Sequence, residues 1–286
     1  VRVSRPGDRS GGHEGKSVAC HRWKSRARLD RQGFYGKRVP GAHRAKRDAG
    51  DYGPVRVLSF NIHKGFSPGN IKFVLPEIRE GIRSTDADLV LLQEVHGHQS
   101  PRWFASQFEF LADEVWPHFA YGRNAVYQSG HHGNAILSKI PIVGFENIDV
   151  SPSRFERRGI LHAELEGQLH VICTHLALFE VHRSRQLRIL AERIRQKVPD
   201  SAKLIVGGDF NDWRQLARDI LGRELGLADV HETLHGRYAA TFPALMPALR
   251  LDRIYCRGLD PLSAQVLRGG VWNLLSDHLP VLADVG

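Results

Sequence analysis

An apolar run leads directly into a carboxylate and an amide in the stretch Leu204-Ile205-Val206-Gly207-Gly208-Asp209-Phe210-Asn211. The apolar residues predict a short buried strand, and Asp209 and Asn211 then stand at its carboxyl end. Buried strands with polar ends are a common way to hold functional groups rigidly. The stretch therefore predicts a sheet whose edge carries the functional site.

Four further segments share this design, in which an apolar run ends in polar side chains. They are Leu58-Ser59-Phe60-Asn61, Leu91-Leu92-Gln93-Glu94, Ile172-Cys173-Thr174-His175 and Leu275-Ser276-Asp277-His278. A sixth segment, Leu251-Asp252-Arg253-Ile254-Tyr255, places its carboxylate at the start of a strand. For any one motif, a solvated strand end or an ordinary turn explains the residues equally well. The interpretation depends on the appearance of all six together.

Helical periodicity occurs over 71–84 and 181–198, and a further helix is expected over 101–112. Among the predicted strands between these helices is a short one over 124–128. Strands and helices are mixed without strict alternation, which predicts a layered α/β protein with mixed or antiparallel sheets.

The positive charge of the chain lies in its first fifty residues. The net charge of the chain is +9, but residues 1–50 carry fourteen Lys or Arg and four Asp or Glu. The remaining residues carry twenty-six basic and twenty-seven acidic groups. Residues 1–50 show no strand or helix period, so we expect a basic, disordered tail before a folded domain over 54–286. A basic arm for RNA, DNA or anionic lipid is the alternative.

The nearly neutral body removes most of the support that a basic chain would give to a nucleic-acid partner. No run of eighteen uncharged apolar residues predicts a spanning helix, and no secretory signal is expected. The three cysteines Cys20, Cys173 and Cys256 are odd in number and far apart. They favour a reducing cytoplasm over a disulfide framework.

The polar strand ends indicate the chemistry. Asn, Glu and Asp side chains supply hard oxygen ligands, which suit Mg²⁺ or Mn²⁺. The chain has no Gly-x-Ser-x-Gly elbow and no Walker loop, so acyl transfer and P-loop phosphoryl transfer lack their motifs. Carboxylates, a metal and an Asp-His pair together favour hydrolysis of a phosphate ester.

The ordered set of motifs resembles the endonuclease/exonuclease/phosphatase superfamily. The matching signatures are Ser-Phe-Asn61, Leu-Gln-Glu94-Val, Gly-Asn134-Ala-Ile-Leu-Ser, Thr-His175-Leu, Gly-Asp209-Phe-Asn211-Asp, Leu-Asp252-Arg-Ile-Tyr and Ser-Asp277-His278-Leu-Pro. The resemblance covers residues 54–286, and Asn61-Ile-His-Lys-Gly is similar to a bacterial branch. It implies a DNase I-like fold, a four-layer sandwich of two packed mixed β-sheets flanked by helices.

The resemblance also implies roles for the metal and the proton transfers. Glu94 matches the main metal ligand, and Asn61 matches the residue that assists the same ion or contacts phosphate. Asp209 matches the group near the attacking water or leaving oxygen, and Asn211 orients it.

Histidines complete the implied site. His278, expected to be held by Asp277, matches the His that contacts phosphate, and Asp252 matches a residue that orients a catalytic His. His175 stands where the sphingomyelinase and DNase I branches carry His and the abasic-site endonucleases carry Tyr.

Two further residues, Asn134 and Arg158, are expected to bind substrate. His63 and Lys64 depart from the acidic residue that abasic-site endonucleases place two positions after the Asn. The choice between Asp209 and the Asp277–His278 pair as base stays open at this point.

The leading function hypothesis is a metal-dependent phosphodiesterase or phosphatase acting on a small-molecule or lipid phosphate ester. A nuclease is the alternative within the same chemistry, and a non-catalytic binding module is the alternative of another class. Nucleic acid and membrane lipid are both candidate partners, and no obligate protein partner is expected.

Overall fold

Two mixed β-sheets pack face to face, with helices on the outside, in the computed structural model of this chain. The structure describes residues 28–29, 35–36, 53–97, 106–127 and 130–286. The predicted four-layer α/β sandwich is confirmed.

The first sheet has six strands from the folded body, extended at one edge by two strands of two residues each. Its spatial order is β1 (Arg28–Leu29), β2 (Tyr35–Gly36), β5 (His118–Tyr127), β6 (Gly130–Ser138), β4 (Leu89–Gly97), β3 (Val55–Asn61), β14 (Val281–Val285) and β13 (Pro261–Val266). Strands β3 and β4 are parallel, and the other pairs are antiparallel.

The second sheet has six strands. Its spatial order is β11 (Ala228–Asp229), β12 (Asp252–Arg257), β10 (Lys203–Asp209), β9 (Leu169–His175), β8 (Gly159–Leu165) and β7 (Ile142–Asp149). Strands β9 and β10 are parallel, and the others are antiparallel. Each sheet therefore contains one parallel pair whose carboxyl ends meet at the same edge.

Apolar side chains fill three layers. Ile205 of β10 lies between the sheets, whereas its neighbour Val206 lies on the outer face, as the alternation of a strand requires. The helices that cover the outer faces are α1 (Leu75–Ser84), α2 (Gln107–Ala112), α3 (Glu180–Lys197) and α5 (Trp272–Leu275). Helix α4 (Val230–His235) packs against β12 and β13 and places Val230 in the core between the sheets. Burial on both faces explains why β10 reads as an unbroken apolar run.

The structure shortens the first predicted helix. It was expected over 71–84, but α1 begins at Leu75, with Pro76 in its first turn. Ile71, which the periodicity placed on the buried face, is 86% exposed. Proline suits the first turn of a helix because no intrahelical partner is lost there, and it disfavours helical backbone in the residue before it.

Three other predictions touch residues outside the described ranges. Helix α2 begins at Gln107 behind a Ser106–Glu109 capping box, and residues 101–105 of the predicted helix are not among the described ones. The strand expected over 124–128 is part of the longer β5. The predicted disordered tail over 1–50 lies outside the described residues, apart from β1 and β2, and stays a prediction. None of the helices described is long and apolar enough to cross a membrane.

We predict that Gly208→Ala destabilises the fold. Gly208 has a φ of +143°, and a Cβ there would lie 1.9 Å from the carbonyl oxygen of Thr174 on β9. The expected loss in the free energy of unfolding is about 3 kcal/mol, measured by urea denaturation. Gly144→Ala, which meets nothing within 4 Å, is the matched control. Equal unfolding free energies for the two variants would contradict this packing argument.

Candidate active site

Strand register brings the predicted site residues together. Asp209 at the end of β10 pairs with His175 of β9 on one side and with Asp252 of β12 on the other. On the first sheet, Asn61 ends β3 opposite Gln93, the residue before Glu94. The ends of both parallel pairs therefore meet at one edge of the sandwich, which we call the site edge.

One hydrogen bond joins the two sheets at this point. The Asn61 side-chain amide donates to Oδ2 of Asp209 over 3.1 Å. The same oxygen lies 3.4 Å from Nε2 of His175 and 3.8 Å from Nε2 of His278. Asp209 is 1% exposed, so four polar groups converge in a buried place.

The partner of His278 differs from the expectation. Asp277 was expected to hold His278, but Nδ1 of His278 lies 2.9 Å from Oδ2 of Asp252. Asp277 instead lies 3.2 Å from Nδ1 of His63. Residues 277 and 278 form a bend, and their side chains contact different partners. The orienting role that the family resemblance implied for Asp252 agrees with this geometry.

Glu94 stands in a bulge of β4. The register of β4 against β6 shifts between Leu92 and Val95, and Glu94 has a φ of +56°. A bulge with such backbone re-aims a side chain and is often found next to active sites. Oε2 of Glu94 is buried without a hydrogen-bond partner among the described residues, and Nζ of Lys64 lies 3.2 Å from it. Glu94 thus offers a buried oxygen that accepts no hydrogen bond from the described residues and lies beside the Lys64 cation.

Asn211 fixes the carboxylate of Asp209. Its backbone N–H donates to Oδ1 of Asp209 over 2.9 Å, and its side-chain amide donates to the carbonyl oxygen of Leu176 over 3.0 Å. Asn211 has a φ of +49°, a conformation that Asn adopts more readily than most residues. Asp209 is therefore held through both of its oxygens.

A buried ionic cluster supports this loop from behind. Asp212 lies 3.6 Å from Nε of Arg183 and 3.7 Å from Nη2 of Arg253, and all three side chains are fully buried. Arg183 also donates to the carbonyl oxygens of Ala177 and Leu178. The cluster ties the loop after β9 to the loop after β10. Asp212 and Arg253 belong to the quoted sequence motifs, but nothing in the neighbouring sequence predicted that they would pair in this cluster.

Asn134 and Arg158 bind backbone carbonyls. The Asn134 side-chain amide donates to the carbonyl oxygen of Gly159 over 2.9 Å, which links β6 of the first sheet to β8 of the second. Nε of Arg158 donates to the carbonyl oxygen of Leu176 over 3.1 Å. Both residues lie beside the convergent groups, and the substrate-binding role expected of them stays a prediction.

The buried charges shift the ionisation of the two histidines in opposite directions. Burial alone would lower the pKa of His278, but the charges of Asp252 and Asp209 outweigh it and raise this pKa to about 10. Burial, followed by the positive charge of Arg158, lowers the pKa of His175 well below 6.5. At neutral pH, His278 is a cation and His175 is neutral.

Asp209 is shifted toward the protonated form. Burial is the largest cause, and the charge of Asp252 adds to it, while His278 acts in the opposite direction. The pKa of Asp209 is therefore raised toward neutral pH. Carboxylates with such pKa values can exchange protons with a substrate or water at physiological pH.

The sequence analysis did not assign three residues that the structure brings to the site. His63 and Lys64 come from the Asn-Ile-His-Lys-Gly motif, which was noted only as a departure from a related pattern. Thr241 donates from its hydroxyl to Oδ2 of Asp252 and stands in no quoted motif. The sequence gives no indication of this contact, because Thr241 lies on a loop and meets Asp252 only in the folded structure.

The fold and this arrangement of strand ends define the DNase I-like class of proteins. The chain belongs to the Endonuclease/Exonuclease/phosphatase family, whose sequence model matches residues 58–278. Members of this family are hydrolases that act on phosphate esters. The resemblance inferred from the motifs is thereby confirmed.

A close sequence relative occurs in Escherichia coli (strain K12). It is named "Uncharacterized protein YbhP" and is 46% identical over 242 residues, which cover 80% of this chain and 95% of the relative.

Solved structures show the same fold at low sequence identity. An endonuclease/exonuclease/phosphatase from Beutenbergia cavernae is 22% identical, with a TM-score of 0.65, over 81% of this chain and 71% of its own. A mannosyl-6-phosphatase from Bacteroides thetaiotaomicron is 19% identical, with a TM-score of 0.63, over 81% and 99%. D. rerio TDP2 complexed with single strand DNA product is 20% identical, with a TM-score of 0.57, over 82% and 99%.

We predict that Asp252→Asn lowers the pKa of His278 to about 6.5 or below, because its main stabilising charge is removed. The imidazole titration is followed by NMR without metal, with His278→Gln to identify the signal. Asp277→Asn is the matched control, since that carboxylate contacts His63 instead. If Asp277→Asn lowered the pKa of His278 more than Asp252→Asn did, the assignment of partners would be wrong.

The raised pKa of His278 also makes the free energy of unfolding depend on pH. A histidine whose pKa is raised on folding adds to the free energy of unfolding below pH 6.5, and this contribution is lost as the pH rises toward 10. Asp252→Asn should flatten the decline between these two pH values in urea denaturation.

Proposed function

We propose that this chain is a divalent-metal-dependent phosphodiesterase or phosphatase acting on a small-molecule or lipid phosphate ester. The observation that carries the proposal is the convergence of His175, His278 and Asn61 on the buried carboxylate of Asp209, beside Glu94. Cations and hydrogen-bond donors aimed at one place are what an anionic phosphoryl group requires.

Glu94 and Asn61 would hold the metal. The carboxylate of Glu94 has a buried oxygen without a hydrogen-bond partner in the described part of the chain, and carboxylate and amide oxygens suit Mg²⁺ or Mn²⁺. A bound ion would neutralise charge on the phosphoryl oxygens.

A second group of potential ligands is less suitable. Asp209, Asp252 and His278 offer atoms that all lie within 4.8 Å of one another. However, both carboxylate oxygens of Asp209 already accept hydrogen bonds from Asn61 and Asn211, and Nδ1 of His278 already lies 2.9 Å from Oδ2 of Asp252. We therefore favour Glu94 over this cluster.

Proton transfer falls to Asp209 and charge stabilisation to His278. Asp209 has a raised pKa and is held by Asn211 and Asn61, so it can accept a proton from the attacking water. His278, held by Asp252, can donate from Nε2 to a phosphoryl oxygen. His175, which is neutral, can donate one further hydrogen bond.

The balance of charge supports a small substrate. The body of the chain carries twenty-six basic and twenty-seven acidic residues, whereas a long polyanion is usually met by a basic surface. A nuclease is the second candidate, since Arg154, Arg157 and Arg158 follow one another closely beside the site. A non-catalytic binding module would have no need of the intact set of site residues. The cytoplasmic location and the absence of an obligate protein partner stay predictions.

We predict that Glu94→Gln abolishes Mg²⁺-dependent hydrolysis of bis-p-nitrophenyl phosphate while the fold persists. The loss of one charged ligand should also weaken Mg²⁺ binding in calorimetric titration by at least about tenfold. Glu192→Gln, on the exposed face of α3, is the matched control. Undiminished Mg²⁺ binding by Glu94→Gln would remove Glu94 from the metal site.

We predict that Lys64→Gln changes the affinities for metal and for phosphate in opposite directions. Removing a cation 3.2 Å from Glu94 should tighten Mg²⁺ binding about threefold to tenfold, and should weaken inhibition by inorganic phosphate by a similar factor. Lys72→Gln is the control, because Lys72 lies on the same connection but pairs with Glu77. A loss of both affinities would indicate that Lys64 only supports the local structure.

A further inference from the structure

Five connections surround the site. Each of them begins or ends at the end of a strand that carries a site residue, or at the end of a strand paired with such a strand. We call their surface the loop rim and define it by residues 62–74, 150–158, 176–183, 210–215, 241–251 and the segment 276–280 that leads into β14. The rim differs from the remainder of the body in both hydrophobicity and charge.

Exposed apolar side chains are concentrated on the loop rim. Sixteen large hydrophobic residues are exposed among the described residues, and ten of them belong to the rim. They are Ile71, Phe73, Phe155, Leu178, Phe179, Val181, Trp213, Leu245, Met246 and Leu249. Soluble proteins rarely leave contiguous apolar patches in water unless the patch contacts a partner or a membrane.

Half of these residues stand on three interlocked connections. Glu156 accepts a hydrogen bond from the backbone N–H of Leu178 and lies 3.6 Å from His182. The Arg183 guanidinium packs over the ring of Trp213 at 4.6 Å and donates to the carbonyl oxygen of Leu178. These contacts tie together three connections whose surface exposes Phe155, Leu178, Phe179, Val181 and Trp213.

This surface adjoins the site. Arg158 and Asn211 both donate to the carbonyl oxygen of Leu176, directly between His175 and the exposed Leu178.

Apolar side chains also lie beside His278, on the connection 241–251. The ring of Phe242 lies 4.9 Å from the ring of His278, and the backbone N–H of Ala244 donates to the carbonyl oxygen of Asp277. The same connection exposes Leu245 at 65% and Met246 at 76%. The groups proposed to bind phosphate are therefore in contact with two connections that expose apolar side chains.

The charge of the loop rim is opposite to that of the rest of the body. The rim carries eight Lys or Arg and four Asp or Glu, whereas the rest of residues 51–286 carries eighteen basic and twenty-three acidic residues. Basic and apolar side chains together complement a bilayer surface, whose interior is apolar and whose headgroups are anionic.

We propose that the loop rim docks on an anionic lipid surface, so that the site acts on a phosphate ester held in that surface. The inference rests on the proposed function for its catalytic half. Single-stranded nucleic acid also stacks on exposed aromatic rings, but it gains little from aliphatic side chains. The exposed Leu178, Val181, Leu245 and Met246 therefore favour lipid.

The test separates aliphatic insertion from aromatic stacking. The rim variant is Val181→Ser/Leu245→Ser/Met246→Ser in the full chain, and none of these residues belongs to the site. The matched control is Leu234→Ser/Leu262→Ser, two exposed leucines away from the rim. Binding is measured by co-sedimentation with vesicles of phosphatidylcholine containing phosphatidylglycerol, at about 0.15 M salt and at about 1 M salt, where the Debye length is about 3 Å.

We expect the wild-type chain and the control to remain bound at about 1 M salt, because screening removes the contribution of the basic residues 1–50 but not apolar insertion. The rim variant should bind at least about tenfold more weakly under these conditions. Equal binding of the rim variant and the control, or no binding of the wild-type chain, would overturn the proposal.

A second readout distinguishes docking from catalysis. Hydrolysis of soluble bis-p-nitrophenyl phosphate should be unchanged in the rim variant, while turnover of phospholipid in vesicles should fall with binding. Vesicle binding without any hydrolysis would reject the proposed function and leave the docking surface supported. Binding of a single-stranded oligonucleotide that the rim variant retains, together with absent vesicle binding, would assign the surface to nucleic acid instead.

Discussion

The site depends on the register of β10 between β9 and β12. A slip in the register of a strand moves every one of its side chains to a new partner or to the other face of the sheet. Because β10 is buried on both faces, such a slip is strongly disfavoured. Asp209 inherits its two neighbours, His175 and Asp252, from that pairing. The arrangement of the candidate site is therefore a direct result of how the apolar strand is buried.

Burial also sets the electrostatics. Burial raises the pKa of Asp209, whereas the charges of Asp252 and Asp209 raise the pKa of His278 against the opposing effect of burial. A lone buried cation would be costly, but His278 faces two carboxylates. The two carboxylates thus keep the His278 imidazole charged, while burial, together with the charge of Arg158, keeps the His175 imidazole neutral.

Local sequence predicted the strand ends because each follows an apolar run, and it predicted the layered fold because strands and helices are mixed. It could not predict which acid serves which histidine. Asp277 is adjacent to His278 in the chain, yet Asp252 reaches it across the fold. The bulge that turns Glu94 inward and the approach of Thr241 likewise depend on distant pairing. The helix start at Leu75 was missed because Ile71 continued the apolar period, although Pro76 marked the first turn.

The hydrogen bond from Asn61 to Asp209 spans the two sheets, and this determines when the site forms during folding. Asn61 is supplied by an early part of the chain, whereas Asp252 and His278 are supplied by its last part. A nascent chain that has completed only the first sheet's early strands holds half of a site. The groups proposed to act on a phosphate ester therefore come together only when both sheets have docked, so a partly folded chain does not hold the complete site.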